Sequence, residues 1–222
     1  MYILLMGLIV LRLDVTLHFL ATGETYRILI YSTRIHDSTI SKIVPETCLA
    51  LCRCLRDVYL KNPTTDEWLK VAADFQSKWN FPNCLGALDG RHIAFSPFTS
   101  AGSYYHNYKG TDSMVSLALA DANYKLIYVN VGVNSRVSNG GGVFSACGLH
   151  KRMQNNTLNM LPDRALPGRT NKVPYVFIAD EAFPLSNHLM KPFPQRSLTY
   201  DNRIYNYRLS QLDEWWSVAL EY

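Results

Sequence analysis

A chain of 222 residues can bury one substantial core and leave room for a smaller module. Hydrophobic residues at 48% and charged residues at 18%, with no repeat or low-complexity run, exclude a disordered or fibrous class. The net charge of +4 is uneven: residues 81–210 hold 13 basic and 7 acidic side chains, whereas residues 211–222 hold 3 acidic and no basic ones. A basic surplus in the middle of the chain suits an acidic polymer as partner.

The opening "MYILLMGLIVL" is the one candidate targeting segment. Arg12 and Asp14 interrupt it well short of the ~20 apolar residues that span a bilayer. It lacks a basic n-region and a clear small-residue cleavage site, so a buried helix or an imperfect gene start is expected rather than a signal peptide.

From Val15 to about Lys78 apolar residues recur at helical spacing. Asp37 or Ser38 is placed to N-cap a helix through "TISKIV", whose Ile40, Ile43 and Val44 share one face while Thr39, Ser41 and Lys42 point elsewhere. Two short helices with a polar, basic exposed face fit a helix-turn-helix, but the pattern alone favours an ordinary bundle with a solvated face, because such faces are common. The cysteines Cys48, Cys52, Cys54, Cys84 and Cys147 are odd in number and have no histidine at zinc spacing, which predicts free thiols. In "PTTDEWLKVAADF", Thr64 or Thr65 caps a further helix with Glu67 near the capping-box position, and Trp68, Leu69, Val71, Ala72 and Phe75 form its apolar side.

Pro82 marks a change of pattern, so the expected domains are a helical region over 14–80 and a sheet-containing region over 81–222. "CLGALDGRHIAF", "MVSLALADANY", "KLIYVNVGV" and "VPYVFIAD" read as strands, and "FSACGLHKRMQNNTL" and the segment from Tyr200 onward as helices. The class is α/β or α+β with helical cover.

Two acids stand out within this pattern. Asp89, and Asp180 at the end of the apolar run "YVFIAD", would both emerge from a sheet core. If their strands are neighbours, the pair could hold a hard cation such as Mg²⁺ or Mn²⁺. Asp89-Gly90 also reads as a hairpin turn, Asp180 as a helix cap, and Asp121 as a turn residue.

The blocks "NFPNCLGALDGRHI", "SYYHNYKG", "SLALADANYKLIYVNVGVNSRVSNGGGVF", "PYVFIADEAFPLSNHLMKPFP" and "RIYNYRLS" resemble, in order, those of the DDE-type transposases of the PIF/Harbinger superfamily and of the nuclease-like proteins derived from them. The upstream segments "TLHFLATGETYR" and "STISKIVPETC" are similar to that family's helical N-terminal region, so the resemblance covers roughly residues 14–210. It implies an RNase H-like mixed sheet preceded by a helix-turn-helix, and divalent-metal-dependent cleavage of DNA. The family's first two catalytic and metal-binding acids then fall on Asp89 and Asp180. Ser38, Thr39, Ser41, Lys42, Lys109 and Arg208 become DNA-contact candidates, with Tyr104, Tyr105 or Tyr108 available to stack on bases and Lys191, Arg196 and Arg203 further phosphate candidates. His92 would alternate away from Asp89 along the strand. The resemblance also implies nuclear residence, with the cytoplasm a second location, and a separate DNA-binding partner protein; no membrane is involved and no Lys/Arg-rich import signal is present.

The sequence departs from the family at two places. Asn139, with Gly140, Gly141 and Gly142, occupies a block where the family commonly has an acid. After "NYRLS" the family continues with a basic helix carrying its last catalytic Glu, and gap-free extension puts that position at about Ser217, in the acidic "QLDEWWSVALEY". Glu214 and Glu221 share a helical face with Ser217, but one helical turn moves a ligand by about 5 Å. Impaired catalysis is therefore expected, and a non-catalytic DNA-binding or adaptor protein is the alternative.

Overall fold

The computed structural model describes residues 2–97, 99–107, 110–134, 140–196 and 198–219. Tyr108, Lys109, Asn139 and Glu221 lie outside them. The chain forms two compact units, Met1–Tyr59 and Leu60–Tyr222.

The first unit is all helix: α1 (Tyr2–Thr22), α2 (Tyr26–Thr33) and α3 (Asp37–Tyr59). Val15, Leu29, Ile40 and Val44 form its core, one or two residues from each helix, with Phe19, Tyr26 and Ile35 around them. Arg34 ends α2 in the left-handed region at φ 57°, its N–H bonded to Ile30 O, and this turns the chain into α3 within three residues. The N-cap of α3 is His36, not Asp37 or Ser38. His36 O accepts from the N–H groups of Thr39 and Ile40, and its ring nitrogen Nδ1 lies 3.3 Å from Ser38 N. The expectation of burial fails for the start of α1, where Met6, Leu8, Ile9, Val10 and Leu11 are exposed; among the described side chains of that helix only Val15 and Thr16 are buried.

The second unit opens with α4 (Thr65–Trp79). Thr64 Oγ1 accepts from Glu67 N–H while Glu67 Oε2 accepts from Thr64 N–H at 2.8 Å, a complete capping box. Trp68, Ala72 and Phe75 at helical spacing are buried against the sheet, whereas Leu69 stays exposed. Hence α4, which the expected boundary near residue 80 grouped with the N-terminal helices, belongs to the sheet's unit.

Strands β1 (Cys84–Ala94), β2 (Ser113–Ala120) and β3 (Leu126–Asn134) make an antiparallel meander. Helices α5 (Gly140–Ala146) and α6 (Gly148–Gln154) follow, then the two-residue pair β4 (Arg164–Ala165) and β5 (Lys172–Val173). Strands β6 (Val176–Ala179) and β7 (Leu189–Met190) then add in parallel on the other side of β1, and α7 (Tyr200–Ala219) closes the chain. The order β3-β2-β1-β6-β7, antiparallel then parallel with helices on the faces, is an RNase H-like α/β arrangement. The segments expected as strands and helices from Cys84 onward take up those states.

Alternation divides the core between the two faces of the sheet. Leu85, Leu88, Leu117, Leu119, Phe177 and Ala179 pack with Trp68 and with Phe144 of α5. Cys84, Ala87, Ala120 and Ile178 pack on the other face with Phe75 and with Leu209 of α7. Trp68 is fully buried, and its indole N–H donates to Leu158 O at 2.8 Å. Gly86 is required where β1 shifts register, since a Cβ there would stand 2.8 Å from Leu119 Cδ1 and 3.0 Å from Ala120 O.

Candidate active site

The two central strands bring the two acids together. β1 and β6 are parallel and register Leu88 with Ala179, so the next residue on each, Asp89 and Asp180, stands beside the other. The parallel pairing ends at Leu88 and Ala179, where β6 stops and β1 runs on to Ala94, and it brings together residues 91 positions apart that no hairpin could join. By alternation Asp89 shares the face of Ala87, and Asp180 that of Ile178; Leu209 of α7 packs on this same face.

Local hydrogen bonds orient both carboxylates. Asp89 Oδ1 accepts from Gly90 N–H at 2.6 Å, and Asp180 Oδ1 accepts from Ala182 N–H at 3.0 Å as the chain turns out of β6. No hydrogen bond among the described residues uses the second oxygen of either. Burial raises the pKa of Asp180; the Ala182 N–H opposes that, the Asp89 charge adds to it, Lys191 opposes it and Glu181 adds to it. Two half-buried like charges held side by side, each with an uncommitted oxygen, fit a hard divalent cation, which would offset their repulsion. Among the described residues no group of three or more His, Cys, Asp or Glu side chains converges on one point.

The other candidates are dispersed. His92 turns to β2, its Nδ1 lying 3.0 Å from Ser113 Oγ. Tyr104 and Tyr105 lie in a loop, with Tyr105 packed edge-on against Phe95 and Tyr104. Asp121 is the expected turn residue, its Oδ1 taking the N–H groups of Asn123 and Lys125 between β2 and β3. Arg208 lines a cleft of about 660 Å³ with Asn83 and Val176, at the start of β1 and β6 and so at the end opposite the acids. Ser38, Thr39, Ser41 and Lys42 are exposed in the first turns of α3, in the other unit. The five cysteines are free.

Paired carboxylates on the central strands of an RNase H-like sheet suit a nuclease of that fold class. The chain belongs to the family of DDE superfamily endonucleases, whose model matches residues 88–215, more than half of its length. The matched stretch begins one residue before Asp89, includes Asp180 and runs into α7. No curated protein and no solved structure matches the chain. No helix among the described residues is long and apolar enough to cross a membrane.

Proposed function

We propose that the protein is a nuclease-like protein derived from a PIF/Harbinger transposase, in which Asp89 and Asp180 are the remaining metal-binding acids of a DNA-cleaving site. The observation that carries this reading is the registration of the two acids on β1 and β6, inside the matched family region. A Mg²⁺ or Mn²⁺ ion held by their uncommitted oxygens would supply Lewis-acid polarisation of a phosphodiester. The chain itself holds the two carboxylates in place through Gly90 N–H and Ala182 N–H.

We propose further that cleavage is impaired. Tyr205 of α7 packs on Phe81 beside the start of β1, and Leu209, one turn on, packs with Ala87 and Ile178. The ground is the resemblance: gap-free extension past "NYRLS" puts the family's last catalytic acid at about Ser217, and a serine there brings no charge.

The N-terminal unit supports a DNA-binding role. An eight-residue helix, a three-residue turn and a longer helix with Ser38, Thr39, Ser41 and Lys42 exposed in its first turns suit a helix-turn-helix, whose second helix enters the major groove by its N-terminal end. The serine at 217 favours one second reading, a non-catalytic DNA-binding or adaptor protein working with a separate DNA-binding partner. Nuclear residence goes with either reading.

The deciding experiment is nicking of supercoiled plasmid with Mn²⁺ or Mg²⁺ by the protein, Asp89→Asn and Asp180→Asn. Weak nicking abolished by both substitutions is expected of the nuclease. Salt-dependent DNA binding without metal, unaffected by either substitution and with no nicking, would establish the adaptor.

A further inference from the structure

Beside the acid pair lies a cation that is built into the fold. Lys191 follows β7, whose register with β6 pairs Ile178 with Met190, so Lys191 comes level with Ala179, one residue before Asp180. Its ammonium donates to Glu181 O at 3.2 Å, and no carboxylate among the described residues lies within ion-pairing distance. A lysine serving only to neutralise Asp180 would be expected to pair with it.

The backbone of this segment is fixed from both sides. The β6–β7 ladder holds Met190, while from α7 Tyr205 Oη donates to Lys191 O at 3.2 Å. Two residues on, Phe193 N–H donates to Asn206 Oδ1 and Phe193 O accepts from Asn206 Nδ2, both at 2.8 Å. Phe193 also packs on Tyr205, their ring centroids 5.3 Å apart. Such a strap restrains the start of the lysine stem, which in an ordinary surface lysine is free to move and to stay hydrated. Lys191 is partly buried, so part of that hydration is already lost.

We infer that Lys191 is a substrate-anchoring residue of this site, its ammonium binding a phosphate of the DNA strand that lies across Asp89 and Asp180. The inference rests on the nuclease reading above and adds a named contact to it. Glu181 O takes one of the three ammonium donors, leaving two for phosphate oxygens. A cation there offsets the repulsion between the polyanion and the two carboxylates, with no proton or bond transferred.

The test is the salt dependence of binding to a short fluorescent DNA duplex in EDTA, measured for the full chain, Lys191→Gln, Lys191→Met and Lys191→Arg. Each phosphate contact adds about 0.9 to the slope of log K against log salt, so Gln and Met should each reduce its magnitude by about that amount and weaken binding on every sequence alike. Arg should restore the slope. The same melting temperature in all four proteins is expected, because the strap uses the backbone carbonyl of residue 191. An unchanged slope in Gln and Met overturns the assignment while leaving the acid pair to the nicking assay. Absence of binding by the unaltered chain overturns the assignment and the DNA reading together.

Discussion

Asn206 and Phe193 are joined by two hydrogen bonds, one in each direction and each 2.8 Å long, so helix α7 is stitched to the segment that leaves β7. Only Leu209, among the described side chains of α7, is buried on the sheet, so this pair and the Tyr205 hydroxyl supply much of the helix's fixed geometry. Asn206→Ala removes both bonds and leaves the Phe193 backbone to water. A loss of about 1–2 kcal/mol in urea unfolding is expected, with faster amide exchange in the first turns of α7 than in β1.

The acid pair should be a site of stored instability in the absence of metal. Asp180 has its pKa raised, chiefly by burial, so the folded protein holds this proton more tightly than the unfolded chain does. Its effect on stability is therefore neutral below the ordinary carboxylate pKa and becomes unfavourable as pH rises through the raised value. Asp180→Asn keeps an oxygen for Ala182 N–H and removes the charge. In EDTA the variant should melt above the parent protein at neutral pH, and the gap should close as pH falls through the carboxylate range. A stabilised protein that no longer binds Mn²⁺ in calorimetry would place the charge there for function.

The N-terminus of α4 has the opposite pH behaviour. Glu67 is lowered from 4.5 to about 2, first by its contact with Lys61 and then by Thr64 N–H. A depressed carboxylate contributes stability above its unfolded pKa and loses it as pH falls from about 4.5 toward 2. Glu67→Gln should flatten the acid limb of the stability curve over that window in denaturant titrations. Thr64→Ala, which removes the other half of the box, should cost about 1 kcal/mol at neutral pH, where the charge is intact.

The pattern of strands and helices from Cys84 onward was legible because β-branched and aromatic runs there are bounded by Gly, Asn and Pro, and the Thr64 cap because its partner lies three residues away. The meeting of Asp89 with Asp180 was not, since periodicity says nothing about which distant strands pair in parallel; family blocks alone suggested it. Helix α4 was assigned to the wrong neighbours for a similar reason. Trp68, Ala72 and Phe75 show that a face is buried without showing that it covers a sheet beginning five residues after the helix ends. Lys191 was one phosphate candidate among several and nothing in the sequence singled it out, because the strap that fixes it comes from Tyr205 and Asn206, more than ten residues away.

The proposed impairment can be tested by placing a carboxylate at position 217. Helix α7 continues through position 217 to Ala219, so a carboxylate there sits on an existing helix and needs no new backbone. Glu is a strong helix former and the substitution removes a weaker one. Ser217→Glu should raise Mn²⁺-dependent nicking by about tenfold or more, as expected when a missing metal-binding acid is returned. Adding Asp89→Asn to it should abolish the gain, whereas Leu212→Glu, the same charge more than one helical turn earlier, should give none. Equal nicking by the parent and Ser217→Glu would mean that position 217 is not where the missing acid belongs, and would turn attention to Glu214.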